Sequence, residues 1–326
     1  MMSLYRYSDI MPIFSVIILS KNNGDTLESC IRSIINSECP KGWKREIIVV
    51  DAHSTDNTPR ILKKYNKYIK VVYDEGKGIG IARNIGISNA RGNIICFVDA
   101  DCLIGKKHFI KIIETIKNGA DIVDVRGQPI AQKISNLSKI ARLELMLWNV
   151  GRAYSEKLRE KRCFAGGPFI AFKREVFEKT GKFWEHVPYG ADDMDFSFRA
   201  YKRGFKITVV DVKGSFGIPR SSLRKLIKQQ IGWGAGYAFF IMKYRKNMET
   251  WRCYRFNRFI YRFFGNYVWL YLILRFMLAP LGGVKLFIKT RELLIIPYWT
   301  IRRYAFLYGV LKSLFQVFFK KWVQGS

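Results

Sequence analysis

Acidic residues and histidine are scarce in this chain. Its 326 residues carry 56 lysines and arginines against 26 aspartates and glutamates, with 3 histidines, for a formal net charge of +30. That imbalance implies polyanionic partners, and nucleic acid, anionic lipid head groups and phosphorylated substrates all qualify. Paired-cysteine motifs are missing too. None of Cys30, Cys39, Cys96, Cys102, Cys163 and Cys253 forms a C-x-x-C, so all six read as reduced core thiols of a cytosolic protein. There is no internal repeat and no low-complexity segment. No signal peptide is expected, because "MPIFSVIILS" (residues 11–20) is too short to cross a bilayer and lacks a small-residue cleavage site. It reads as a strand.

What the chain does have is alternation. Residues 13–19 (IFSVIIL) and 46–50 (EIIVV) are apolar and β-branched, like buried parallel strands. Between them, "DTLESCIRSIIN" places Leu27, Cys30, Ile31, Ile34 and Ile35 at helical spacing. "DNTPRILKKYNKY" opens with polar caps and a proline, a helix start. "IKVVYD" predicts a third strand, "GIGIARNIGISNA" a third helix and "NIICFVD" a fourth strand. Beyond these come a helix over 107–118, the strand "DIVDVRG" and a helical region over 133–160. A strand and helix start in "PFIAFKREVF", a helix in "YGADDMDFSFRAYKRG" and a last strand, "FKITVVD", complete the pattern. It predicts an α/β fold with a mainly parallel sheet flanked by helices, long enough for one large domain or one domain with an appendage. Ligands of such sheets bind at the carboxyl ends of the strands. Asp51 and the pair Asp99/Asp101 stand at two of those ends.

The pair raises an electrostatic question. At the end of the strand "NIICFVDADC", side-chain alternation puts Asp99 and Asp101 on one face and Ala100 on the other. Two carboxylates about 5 Å apart then repel by roughly 3 kcal/mol at an effective dielectric near 20. A hard divalent ion such as Mg²⁺ or Mn²⁺ would offset that; the alternative is a polar turn capping the next helix. Asp51 alone reads equally as a helix N-cap. The cluster Asp192, Asp193 and Asp195 reads as a solvated helix start, and Gly166–Gly167 as a simple turn.

Taken together and in order, the motifs resemble the family 2 glycosyltransferases. "SVIILSKNN", "VVDAHSTDNT", "GIGIARNIGISNARGNIICFVDADC", "GGPFIAFKREVFEKTGKF" and "GADDMDFSFRAYKRG" match that family's sequence of elements over roughly residues 12–240. The resemblance implies a GT-A-type nucleotide-diphospho-sugar transferase fold and inverting transfer from a nucleotide-diphosphate sugar. It implies that Asn22, Asp51 and Arg83 serve the donor pocket, and that Asp99 and Asp101 meet the ribose and a Mg²⁺ or Mn²⁺ on the diphosphate. Gly166, Gly167, Asp192 and Asp195 would lie on the acceptor side, with Asp193 as general base. Departures exist. The histidine that many members carry after the last strand is missing from "VVDVKGSFG", and the processive subgroup's Q-x-x-R-W appears as "QQIGW" with Gly232 in the arginine's place. The first removes a metal ligand; the second argues against a polymer synthase.

Two rivals are weaker. "GKGIGIARNIG" lacks the G-x-G-x-x-G of a dinucleotide site, because Ile81 replaces the third glycine and the loop is not in the first βα unit. A basic nucleic-acid-binding protein fits the charge, but no recognition motif appears and nucleic acid is not an expected partner. After about residue 240, aromatics crowd with lysine and arginine, and Glu249 and Glu292 are the only acids. Residues 265–284 are long enough to cross a bilayer. Arg275 sits within them, however, and Arg302 and Arg303 interrupt the later apolar run 293–318. The expectation is a catalytic domain over 1–240 on the cytoplasmic side. A basic, apolar helical region over 241–326 would lie on or in the anionic face of the cell membrane, or pack as an ordinary helical subdomain. The acceptor would be lipid-linked or a glycan, with a polyprenyl-phosphate sugar synthase of the same fold as the alternative.

Overall fold

The computed structural model describes residues 11–128, 137–155, 163–185, 191–244, 270, 274 and 277–323. The chain forms two compact units, the first of residues 1–131, 165–185 and 196–218 and the second of 132–164, 186–195 and 219–326.

In the first unit the elements are β1 (Ile13–Ser20), α1 (Leu27–Ile35), β2 (Lys44–Asp51), α2 (Thr58–Lys64), β3 (Lys70–Tyr73), α3 (Ile79–Ser88), β4 (Ile94–Val98), β5 (Cys102–Leu103), α4 (His108–Lys117) and β6 (Ile122–Gln128). After the second unit's first segment, which contains α5 (Lys139–Ser155), come β7 (Phe169–Lys173), α6 (Arg174–Thr180), α7 (Asp192–Lys202, of which 192–195 fall in the second unit), β8 (Ile207–Lys213) and β9 (Phe216–Gly217). Seven strands pair in the order β3-β2-β1-β4-β7-β6-β8. All neighbours are parallel except β7, which runs antiparallel to both β4 and β6. Strand alternation sends Phe14, Val16 and Ile18 into one apolar layer with Leu27, Ile31 and Phe109. It sends Ile17 into the other with Phe97, Phe172, Phe183 and Phe196. Both faces of the sheet are therefore covered, as its continuous apolar strands require.

The glycine-rich helix α3 owes its composition to packing. A Cβ on Gly80 would lie 2.2 Å from the carbonyl oxygen of Trp184, and Asn84 pins the same segment. Its amide donates to Phe183 O and its carbonyl accepts the Phe183 N–H, each at 2.9 Å.

The second unit is helical: α5, α8 (Leu223–Tyr244), α9 (Ala279–Thr290) and α10 (Ile295–Val323). Leu143, Leu147, Leu226, Ile295 and Tyr298 form its core cluster. Helices α8 and α10 approach through reciprocal glycines, Gly234 against Phe306 O and Gly309 against Ile231 O, where a Cβ would in each case meet the oxygen at 2.0 Å. Among the described residues no helix is long and apolar enough to cross a membrane. Of the candidate segment 265–284, residues 265–269, 271–273 and 275–276 lie outside the described residues. The arginines that interrupt the later run have partners inside this unit. Arg302 pairs with Glu144 of α5, and the Arg303 guanidinium lies 4.0 Å from the Trp299 ring centroid.

One reading of the cysteines is corrected. Cys30, Cys39, Cys96 and Cys102 are free thiols, but Cys163 is disulfide-bonded. Spacing along the chain does not report a pairing made through the fold. Cys253 lies outside the described residues.

Candidate functional site

The carboxyl ends of β1 and β2 are tied together by side chains. Asn22 adopts a left-handed φ of 54°, which asparagine tolerates better than most residues. Its N–H donates to Ser54 Oγ at 2.8 Å, and its Oδ1 accepts the Thr55 N–H at 2.9 Å. Asp51 is 1% exposed. One carboxylate oxygen accepts the Ser54 N–H at 2.9 Å and the other the Ser54 hydroxyl at 2.6 Å. Asp51 is thus no helix N-cap: α2 begins at Thr58, with Asn57 at the N-cap position. It closes the turn after its own strand and keeps acceptor capacity to spare. Next to it, exposed His53 (φ 48°) stacks on Tyr73, with ring centroids 5.3 Å apart and planes at 16°. Tyr73 is the register partner of Asp51 and was not foreseen; its only sequence signal is an aromatic at a strand end.

The D-x-D segment is a turn. Strand β4 ends at Val98, and the Asp99 carbonyl accepts the Cys102 N–H at 3.0 Å, closing a four-residue turn. The expectation that Asp99 and Asp101 share a strand face is therefore overturned, because the chain reverses before alternation can apply. Three backbone contacts brace the turn. Asp99 N–H donates to Pro168 O at 3.2 Å, Asp101 O accepts the Ile218 N–H at 2.7 Å, and β5 pairs with β9. Beneath it, the Cys30 thiol donates to Asp99 O and the Cys102 thiol to an Asp101 carboxylate oxygen, each at 3.6 Å. Burial first, and then the neighbouring aspartates, hold both thiols well above their ordinary pKa. They remain neutral donors.

Gly167 has φ 108°, a conformation that favours glycine. It precedes Pro168, whose carbonyl meets the D-x-D turn, and Ser197 fixes the approach by hydrogen bonds to both N–H and C=O of Ala165. Gly166 lies between. Arg83 is 5% exposed, its guanidinium 4.5 Å from the Phe97 ring centroid and 5.4 Å from that of Phe183. It sits against the aromatic core layer.

The acids at the start of α7 belong to the second unit. Asp193 is half-buried and one carboxylate oxygen accepts the Met194 N–H at 2.7 Å. Asp192 is 4% exposed. Asp195 is fully buried, and its carboxylate accepts from Lys243 Nζ at 2.6 Å and the Tyr244 hydroxyl at 2.7 Å. These contacts tie the start of α7 to the end of α8. No local signal could have found Lys243 and Tyr244, which are 48 and 49 residues away.

A divalent ion fits this donor set in part. Two carboxylates in one braced turn are hard oxygen ligands suited to Mg²⁺ or Mn²⁺. Among the described residues no group of three or more His, Cys, Asp or Glu could hold a metal, so substrate phosphates and water would complete the shell.

A model of Glycosyl transferase family 2 matches residues 15–181. The chain belongs to that family. The match contains Asn22, Asp51, Arg83, Asp99, Asp101, Gly166 and Gly167, and the α7 acids lie beyond it. Among curated relatives, a poly-beta-1,6-N-acetyl-D-glucosamine synthase of Staphylococcus aureus is 26% identical over 262 residues, 78% of this chain and 62% of that protein. This family 2 chain thus spans under two thirds of that relative's length. Glycosyltransferase AglE of Haloferax volcanii is 27% identical over 239 residues, 69% of this chain and 73% of AglE. The fold matches the mannosyltransferase PcManGT of Pyrobaculum calidifontis, solved with GDP-Man and Mn²⁺, at a TM-score of 0.64 and 19% identity, covering 94% of this chain and 88% of that one. The sheet is accordingly of the GT-A type.

Proposed function

We propose that this family 2 member is an inverting glycosyltransferase. It moves a sugar from a nucleotide-diphosphate donor to a lipid-linked or glycan acceptor at the cytosolic face of the cell membrane. The observation that carries the reading is the braced turn Asp99–Cys102 at the carboxyl end of the central strand β4, within the residues matched to the family. Asp51 and Asn22 order the neighbouring loops, leaving carboxylate lone pairs for the donor's nucleoside hydroxyls. Asp99 and Asp101 hold Mg²⁺ or Mn²⁺. When bound, that ion supplies Lewis-acid stabilisation of the charge that grows on the departing diphosphate. PcManGT, which shares the fold and was solved with GDP-Man and Mn²⁺, supports this assignment. Gly232 in place of the processive arginine favours single transfer.

Asp193 takes the role of general base. A hydroxyl acceptor loses its proton as the new bond forms, and a positioned carboxylate contributes about 10²–10⁴ in rate. A polyprenyl-phosphate acceptor is the second reading. It is favoured by the neutralisation of Asp195 by Lys243, which reduces the repulsion an anionic acceptor meets near α7. Such a nucleophile is already an anion and needs no base. Two measurements test the proposal. Nucleotide sugars should raise the melting temperature more with Mn²⁺ than with chelator; a flat screen refutes donor binding. Asp193→Asn should then keep the donor-induced shift and lose most turnover on a hydroxyl acceptor. Near-wild-type turnover on that acceptor removes Asp193 as the base, while retained activity only on a lipid phosphate selects the second reading.

A further inference from the structure

Helices α9 and α10 each present two unlike faces. On α9, Ala279 and Gly283 are buried, and a Cβ on Gly283 would lie 2.9 Å from Ile296 Cα. Its other side carries Leu281, Val284 and Ile288, which are 64%, 43% and 57% exposed. The same three-and-four spacing extends back through Met277 and Leu274, both exposed. On α10 the inward residues are Ile295, Tyr298, Ala305 and Val310; the outward ones are Ile301, Tyr304, Tyr308, Leu311 and Phe315. Leu293 and Leu294, in the connection between the helices, are exposed as well. Monomeric soluble proteins rarely leave apolar surface of this extent uncovered. The fringe is basic: Lys285, Lys289, Arg291 and Lys312 are exposed, and Glu292 is the only acid between residues 279 and 316.

We propose that these two stripes form the face on which the protein lies against an anionic lipid bilayer, entering one leaflet without crossing it. The inference deepens, and rests on, the membrane-face reading above. Charge selects the occupant. A second copy would bring the same basic fringe and repel it, whereas anionic head groups complement it. Residue type fits the depth. Leucine and isoleucine enter the acyl boundary, and the Tyr304 and Tyr308 rings suit the head-group level. Length argues against crossing on α9, because its 12 residues span about 18 Å of a hydrocarbon core about 30 Å thick. On α10, Arg302 stays bound to Glu144 within the protein.

Co-sedimentation of the full chain with phosphatidylcholine vesicles, with and without phosphatidylglycerol, tests this. The wild type should bind the anionic vesicles and be only partly released by high salt, since salt screens charge and not apolar burial. The triple variant Leu281→Glu/Val284→Glu/Ile288→Glu should reduce partitioning about tenfold or more while keeping its melting temperature and its nucleotide response. The pair Tyr304→Gln/Tyr308→Gln, on the other helix, guards against a folding defect in the first set. Lys285→Gln/Lys289→Gln should weaken the preference for anionic vesicles alone. Unchanged partitioning in both apolar sets, complete release by salt, or conversion of a dimer to a monomer without change in vesicle binding overturns the proposal. If the wild type ignores vesicles but still binds nucleotide sugars, the docking face falls and glycosyl transfer stands. If it binds vesicles but no nucleotide, the failure lies with the transfer reading instead.

Discussion

Replacing Glu144 by glutamine removes one charge from a nearly closed site. Glu144 is 2% exposed. It accepts from Trp148 Nε1 at 2.9 Å, from the Tyr298 hydroxyl and from the Arg302 guanidinium, whose side chain is 14% exposed. Burial and then the Glu144 charge hold the Tyr298 phenol above its ordinary pKa, so it stays a donor. Glutamine keeps one acceptor oxygen but turns an NH₂ toward groups that are themselves donors. It leaves Arg302 without its counter-charge. Breaking a buried pair from one side costs about 3–5 kcal/mol. The Trp233 ring, 5.9 Å from the guanidinium, and the residual water access of Arg302 set the expectation near the lower end, about 3 kcal/mol. Urea unfolding at neutral pH measures it. The paired substitution Glu144→Met/Arg302→Met should recover most of the loss, because replacing both partners by apolar groups of similar size is often close to neutral. A loss below about 1 kcal/mol, the range of exposed pairs, would refute the closed site. So would a double variant less stable than Glu144→Gln. Either result would also put the packing of α10 on α5 in doubt, since this pair joins the two helices.

Asp101→Asn should abolish most of the chelator-sensitive part of the nucleotide-sugar thermal shift while leaving the ligand-free melting temperature nearly unchanged. His108 is buried with Nδ1 2.8 Å from Ser215 Oγ, and burial pushes its pKa down to about 3. The unfolded chain therefore binds the proton first, and stability should fall by about 1.4 kcal/mol for each pH unit below about 6.5. Acid titration of the unfolding free energy should show that slope, and His108→Asn should flatten it. Gly80→Ala should destabilise by about 1–3 kcal/mol despite alanine's better helix propensity, because the added methyl overlaps the Trp184 carbonyl; chemical denaturation reads the difference.

Local pattern explains how much of the fold was legible. The strands of the first unit are short apolar runs whose burial is written in composition, so β1, β2, β3, β4, β6 and β8 fall within a few residues of expectation. The antiparallel course of β7 was not readable. Its five residues are as apolar as a parallel strand's, and direction is set by where the chain returns from. The two-residue strands β5 and β9 are too short to carry a period. Residues 219–240 show the same limit. Their composition resembles the segment before them, yet they group with the described residues of α5 and the start of α7, since unit membership follows contacts made across the chain.

The site divides along the same line. Asp51, Asp99 and Asp101 announce themselves because a carboxylate after an apolar run breaks the pattern that buries the run. What each carboxylate touches does not follow from that break. Asp51 meets Ser54 three residues on, a partner within reach of sequence reasoning. The Asp101 backbone carbonyl is held by the Ile218 N–H and the Asp195 carboxylate by Lys243, contacts that exist only once distant segments are packed. This changes how an acidic cluster should be weighed. Of the three acids at the start of α7, Asp195 is fully buried and neutralised, so its charge serves the helical unit. Asp193 is the half-buried member, and one of its carboxylate oxygens accepts its neighbour's N–H. The family resemblance names Asp193 as the base, and its half-buried place beside two buried acids makes its substitution the most direct probe of the chemistry.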